Sequence, residues 1–125
     1  FTGEARWEGK GRYADAFGAY HGRDAIVAMI ASYCAPVAHF AMTSHFLSSE
    51  HIVVDGSAAR GRWSMLQCST YHDGRADLRS AALDVRFACE AGHWRIAHFR
   101  STNIFSRRVE RWSDAAAIPV PRSGA

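Results

Sequence analysis

The sequence has no apolar stretch long enough to cross a bilayer. Its longest, DAIVAMIASY (residues 24–33), is interrupted by polar side chains well short of the roughly 18 residues that a spanning helix needs. Nor does the chain open on a basic, then apolar, then small-residue signal segment. The expectation is a soluble, cytoplasmic protein. Cysteine is scarce: the 3 residues, Cys34, Cys68 and Cys89, are far apart and form no CxxC pair. An odd, dispersed set argues against both a disulfide framework and a thiolate zinc site. Small buried hydrophobe is their expected role, with a reactive Cys68 or Cys89 as the alternative should a base lie nearby. Lysine is almost missing too. Lys10 is the single lysine among 15 basic residues, which are spread along the chain against 12 acids, and Arg107, Arg108 and Arg111 form the one dense cluster. A phosphate-binding surface joins a larger basic patch to exposed aromatics or a recognition helix, so nucleic acid is not an expected partner.

What is present suits one globular domain: 125 residues, 48% hydrophobic and 22% charged, enough for a full core. The opening FTGEARWEG has no methionine and reads as a loop or short strand within a longer polypeptide, anchored by Trp7. GKGRYADAFGAYHG is glycine-rich and irregular, and FGAYHG could be a short strand carrying Tyr20 and His21. Ile26, Ile30 and Tyr33 then recur at helical spacing behind Asp24, a good N-cap, and Pro36 ends the run. This predicts a helix over 24–34.

From residue 41 the pattern is strand after strand, over 43–54, 57–71, 77–91 and 93–106. The breaks at Asp55-Gly56, His72-Asp73-Gly74 and Ala91-Gly92 carry turn chemistry, so the strands should form an antiparallel meander. Residues 113–125, with two prolines, read as an extended tail beyond a domain of residues 1–112. The fold class is therefore α+β: a strongly curved antiparallel sheet cupping one or more helices, a cone with a concave, mostly apolar pocket.

The most informative segment is HFLSSEHIVVDGSAARGRW (45–63), which sets a histidine early on a strand. Histidine is the side chain whose ordinary pKa lies nearest neutrality, and a strand fixes its position, so His45 is the leading candidate for a general base. The alternative is a structural histidine capped by a backbone carbonyl. His39, in a second His-Phe pair, is a weaker candidate. His39, His45 and His51 share parity, but six residues of strand separate side chains by roughly 20 Å, too far for a shared ion. No metal is expected, although a site built across strands, such as His45 with His98, stays open.

On the last strand Trp94, Ile96, His98, Arg100 and Thr102 share one face, and Arg95, Ala97, Phe99, Ser101 and Asn103 the other. One set should line the pocket. Trp63, Met65 and Gln67 likewise share a face suited to a hydrophobic ligand with one polar group, or to a second subunit. A sheet covered on one side needs another surface over its other face, so a homodimer through the sheet is expected. Tyr20 could donate a hydrogen bond from the wall, or simply pack.

FTGEARW, GAYHGRDAI, HFLSSEHIVVDGSAARGRW and GHWRIAHFR together resemble the SnoaL-like members of the nuclear-transport-factor-2-like superfamily over nearly all of residues 1–112. The resemblance implies a cystatin-like cone, an α+β barrel, with an internal pocket. It implies a cofactor-independent lyase, dehydratase or isomerase acting on a small, largely apolar, cyclic or polyketide-like molecule. The alternative it allows is a non-catalytic ligand-binding protein or a small accessory subunit of a ring-hydroxylating dioxygenase. His45 stands where lyase-like members place their base, and Ser49 stands where asparagine is usual. An acidic partner for the histidine is implied on a first helix, which would lie upstream of Phe1. The resemblance also implies a catalytic Arg100 reaching toward the charge that develops on a leaving group or enolate, against an ion pair with Asp84 or Glu90. Tyr20, Ser49, Trp63 and His98 are the expected substrate-binding residues.

Overall fold

The structure, a computed structural model, describes residues 1–110. The tail expected over 113–125 lies outside them. The elements are β1 (Arg6–Lys10), α1 (Arg12–Phe17), β2 (Ala19–His21), α2 (Arg23–Cys34), β3 (Met42–Asp55), β4 (Ala58–Thr70), β5 (Ala76–Glu90) and β6 (His93–Val109). All six strands form one curved sheet in the order β2-β1-β6-β5-β4-β3. The four long strands make the expected antiparallel meander. β1 adds to it in parallel, with Trp7 opposite Phe99 and Glu8 opposite Arg100, so the sheet is mixed.

The turns work as their residues dictate. Asp55 pairs with Ala58 across the two-residue loop Gly56-Ser57, where Gly56 takes φ 56°. Glu90 pairs with His93 across Ala91 and Gly92, both at positive φ, the backbone that matches a twisted hairpin. In the third turn the Asp73 carboxylate accepts from the Arg75 backbone N–H at 3.0 Å.

Two local expectations are corrected. The glycine-rich segment after β1 contains a helix, α1, set between Gly11 and Gly18, both at positive φ. And α2 begins at Arg23 behind Gly22, which takes φ 86°, while Asp24 sits in the first turn with no side-chain cap.

The core lies between α1 and the concave face. Tyr13 packs with Met65, Ala81 and Leu83, and Phe17, Trp63 and Phe99 close around them. Trp7 stacks on Phe99 with ring centroids 4.1 Å apart. Of the helical stripe on α2, Ile26 is fully buried while Val27 and Ile30 are exposed.

Register fixes which residues face inward. Met65 and Leu83 are core, so Gln67, Ser69, Asp77, Arg79, Phe99, Ser101 and Asn103 share their face. Shifts between Ser48 and His51, Ser80 and Ala81, and Arg86 and Phe87 break the alternation. The first, where Ser49 has φ 55°, turns His51 to the opposite face from His45, so the parity expected for these histidines does not hold. The last sets Ile96 opposite Phe87 and takes it off the face that carries His98 and Arg100. Outside, Phe46, Leu66, Ser80 and Phe105 align in one row across β3 to β6.

Candidate functional site

A cavity of about 270 Å³ opens between α1, β2, α2 and the segment leading to β3, lined by Ala16, Phe17, Tyr20, Met29, Ser32, Tyr33 and His39. Its walls combine the carbon side chains of Ala16, Phe17 and Met29 with two phenols, a hydroxyl and an imidazole, so that polar groups make up much of the lining. Such a mixture can hold a small ring-bearing molecule by packing and by hydrogen bonds together. The segment bearing His39 is pinned: its backbone N–H donates to the Tyr33 carbonyl at 3.0 Å, and the Ala41 N–H to the Thr70 carbonyl at 2.9 Å. The His39 ring meets Tyr33, Phe40 and Tyr71 edge-on, with centroids 5.1, 4.5 and 5.7 Å away.

Tyr71 joins this aromatic cluster to a polar shelf on the concave face. Its hydroxyl donates to Asp77 Oδ2 at 2.8 Å and accepts from Arg79 Nη2 at 2.7 Å, and the same nitrogen donates to Asp77 Oδ2 at 2.6 Å. One strand over, Gln67 Nε2 donates to Ser69 Oγ at 2.9 Å, and Thr43 lies 3.3 Å from Ser69. Burial pushes the Tyr33 phenol above its ordinary value, helped by Tyr20 beside it. Burial likewise raises Tyr71, together with its bond to Asp77. Both phenols therefore keep their protons near neutrality and serve as donors. Two buried polar atoms have no hydrogen-bond partner among the described residues, Tyr13 Oη and Asp77 Oδ1.

The residues expected from sequence fall in three places. Tyr20 lines the cavity. His45 lies on the concave face of β3, exposed, directly opposite Gln67. Trp63 shares that face but packs on the core and lies edge-on to Phe87, centroids 6.3 Å apart. Ser49 is exposed in the β3 bulge. His98 and Arg100 lie on the outer face with Glu8, so the inward set of the last strand is the one carrying Phe99 and Ser101.

Arg100 is ion-paired, and its partner is Glu8 rather than Asp84 or Glu90. Glu8 Oε1 accepts from Arg100 Nε at 2.7 Å and lies 2.9 Å from His98 Nε2, while Lys10 approaches Oε2 at 3.2 Å. Asp84 is held instead by a two-pronged bond from Arg60. Arg100 foremost, with Lys10 and His98, holds the Glu8 carboxyl at about 2, well below its ordinary 4.5, against the burial that would raise it. A carboxylate with a lowered folded value stabilises fully above its unfolded pKa and loses that contribution on acidification. The unfolding free energy should therefore fall as pH drops from about 4.5 toward 2. The loss should be on the order of 2 kcal/mol with the partners partly exposed. Denaturant titrations across that range check this: Glu8→Gln should flatten the decline, and an equally steep decline in the variant would assign it elsewhere.

Asp77, Arg79, Tyr71 and Tyr33 were not singled out from sequence. The signal for two of them was there, because Asp77 and Arg79 share parity with Ala81, Leu83 and Val85, and charged residues on a core-facing repeat call for a reason.

The fold is shared with solved structures of low sequence identity. A type 2 hexachlorocyclohexane dehydrochlorinase is 15% identical, with a TM-score of 0.72, over 98% of this chain and 76% of that one. A candidate scytalone dehydratase from Novosphingobium aromaticivorans is 17% identical with a TM-score of 0.71, over 93% and 77% of the two chains. A protein of nuclear-transport-factor-2-like type with a cystatin-like fold, from the same organism, is 20% identical with a TM-score of 0.62, over 83% and 64%. No curated protein matches the sequence. The sequence model of the SnoaL-like domain matches residues 1–100, which span the cavity and five of the six strands entire, and the chain accordingly belongs to the SnoaL-like family.

Proposed function

We propose that this protein is a lyase or isomerase for a small, largely apolar ring compound, working by histidine general base catalysis. The observation that carries the reading is the cavity in which Phe17 and Met29 stand among converging polar groups, Tyr20, Ser32, Tyr33 and His39, with His39 in ring contact with Tyr71 of the polar shelf. His45 is the proposed base. It stands in HFLSSEH where lyase-like relatives carry theirs, and its strand turns it to the concave side beside Gln67. It would take a proton from carbon while the electron pair forms the new double bond and the leaving group departs.

A specific observation favours a second reading for the base: His39, not His45, is in the cavity wall. Either imidazole predicts exchange of the substrate's acidic C–H with solvent.

The test offers the protein hexachlorocyclohexane, scytalone and related cyclic alcohols and ketones in deuterium oxide, and follows products and deuterium uptake by chromatography and mass spectrometry. Elimination or exchange with at least one ring compound is expected. Tight binding with neither would mean a non-catalytic pocket protein or accessory subunit.

A further inference from the structure

We propose that Arg79 anchors an oxyanion of the ligand, so that the site takes ring compounds bearing a carboxylate or an enolisable carbonyl. This rests on the lyase reading above, with the ligand reaching from the cavity onto the neighbouring polar shelf of the concave face, and names its substrate class.

β5 carries Asp77 and Arg79 into the face that continues as Ala81, Leu83 and Val85. The Arg79 side chain is only 21% exposed and is paired with Asp77, so its guanidinium is held in a partly dehydrated place where a charge-assisted hydrogen bond counts for more than in bulk water. Only one of its nitrogens is used. Nη2 makes both bonds, to Tyr71 and Asp77, and Nε and Nη1 have no hydrogen-bond partner among the described residues. Asp77 thus fixes the guanidinium from one end and leaves its other donors unspent. Its partner Tyr71 lies edge-on to His39 of the cavity wall, ring centroids 5.7 Å apart, which sets the guanidinium one side chain away from the cavity.

Register supplies the geometry. His45 is opposite Gln67, and Gln67 is opposite Arg79, so base and cation stand in one row two strand spacings apart, about 10 Å between backbones. Their side chains rise from the same concave face. A ring compound laid across Gln67 would meet an imidazole at one side and a guanidinium at the other. Proton removal from carbon next to a carbonyl moves negative charge onto oxygen, where a fixed donor is worth most. The competing explanation is that Arg79 only staples the turn at 71–75 to β5 through Tyr71.

Binding separates the two. The full chain is titrated, by tryptophan fluorescence or calorimetry, with 2-naphthoate, with 4-nitro-1-naphtholate above its pKa, and with neutral 2-naphthamide. At least one anion should bind about tenfold tighter than the amide, the yield of one charge-assisted hydrogen bond. Preference for naphthoate assigns a carboxylate substrate, and preference for the naphtholate alone assigns an enolate-forming one. Arg79→Met should erase the preference without weakening naphthamide, and Arg79→Lys, which keeps the charge, should retain part of it. Equal affinity for all three probes, or a preference that survives Arg79→Met, overturns the proposal in favour of the staple. If Arg79→Met does not fold, a full preference in Arg79→Lys does the same, since lysine cannot reproduce the fork. Failure to bind any probe brings down the cavity reading and this one with it. Anion preference in a protein inert toward every ring compound would remove the lyase assignment and leave the anchor standing.

Discussion

Replacing His45 by alanine is expected to lower turnover by about 10²–10⁴-fold, the range that a positioned general base contributes. The fold should not notice. The side chain is exposed on β3 and makes none of the hydrogen bonds that hold the shelf, which run from Gln67 to Ser69 and Thr43. A substitution of that kind shifts stability by no more than about 0.5 kcal/mol. The loss should therefore lie in kcat and not in the unfolding midpoint, and added imidazole should restore part of it. His39→Ala is the natural companion, because that ring fills part of the cavity wall. Its removal should raise KM by enlarging the cavity while leaving kcat within a few fold. A reversed pattern, with kcat collapsing in His39→Ala and intact in His45→Ala, would transfer the base to residue 39. Full activity in both would end the histidine mechanism.

Gly9→Ala should be the most damaging single methyl in the described chain, costing about 3 kcal/mol. α1 folds back onto β1 immediately after Gly11, and a Cβ at residue 9 would fall on the Tyr13 backbone, 2.6 Å from its carbonyl carbon. Backbone cannot rotate out of the way as a side chain can. Tyr13 is also a centre of the core, so displacing α1 would unseat the ring from Met65, Ala81 and Leu83. The fall in unfolding temperature should be about 10–20 °C. Gly61→Ala meets only the ring of Trp63, and Gly56→Ala meets nothing within 4 Å but must hold φ 56°. The second should cost about 1 kcal/mol. Comparable losses for Gly9→Ala and Gly56→Ala would mean that α1 is not seated against β1.

The meander was legible because turn chemistry and alternation agree. Asp55-Gly56, Asp73-Gly74 and Ala91-Gly92 punctuate the strands within a few residues of their observed ends, though β6 runs on to Val109 past the expected 106. α1 was not legible, since six residues between two glycines are too few to show a helical period. Nor was the parallel pairing of β1 with β6, whose partners lie some 90 residues apart and leave no local mark. Alternation divided the last strand into two sets but could not choose between them. The choice is made by α1, which covers the side of Phe99 and Ser101 and so leaves Glu8, His98 and Arg100 to find one another outside. The shelf was hidden for a related reason: Tyr71, Asp77 and Arg79 look like turn and strand-end residues until register sets them beside Gln67 and His45.

Among the described residues β3 closes the sheet's strand order, and one side of its 14-residue backbone pairs with no other described strand. Leu47, Ile52, Val53 and Val54, all exposed, make that margin sticky as well as open. The irregularity at Ser48–His51, with Ser49 in a left-handed conformation, cuts it into two short lengths that do not lie in line. A second chain could zip along either half for only a few residues before losing step. The bend that redirects His51 thus also acts as a guard against fibre growth.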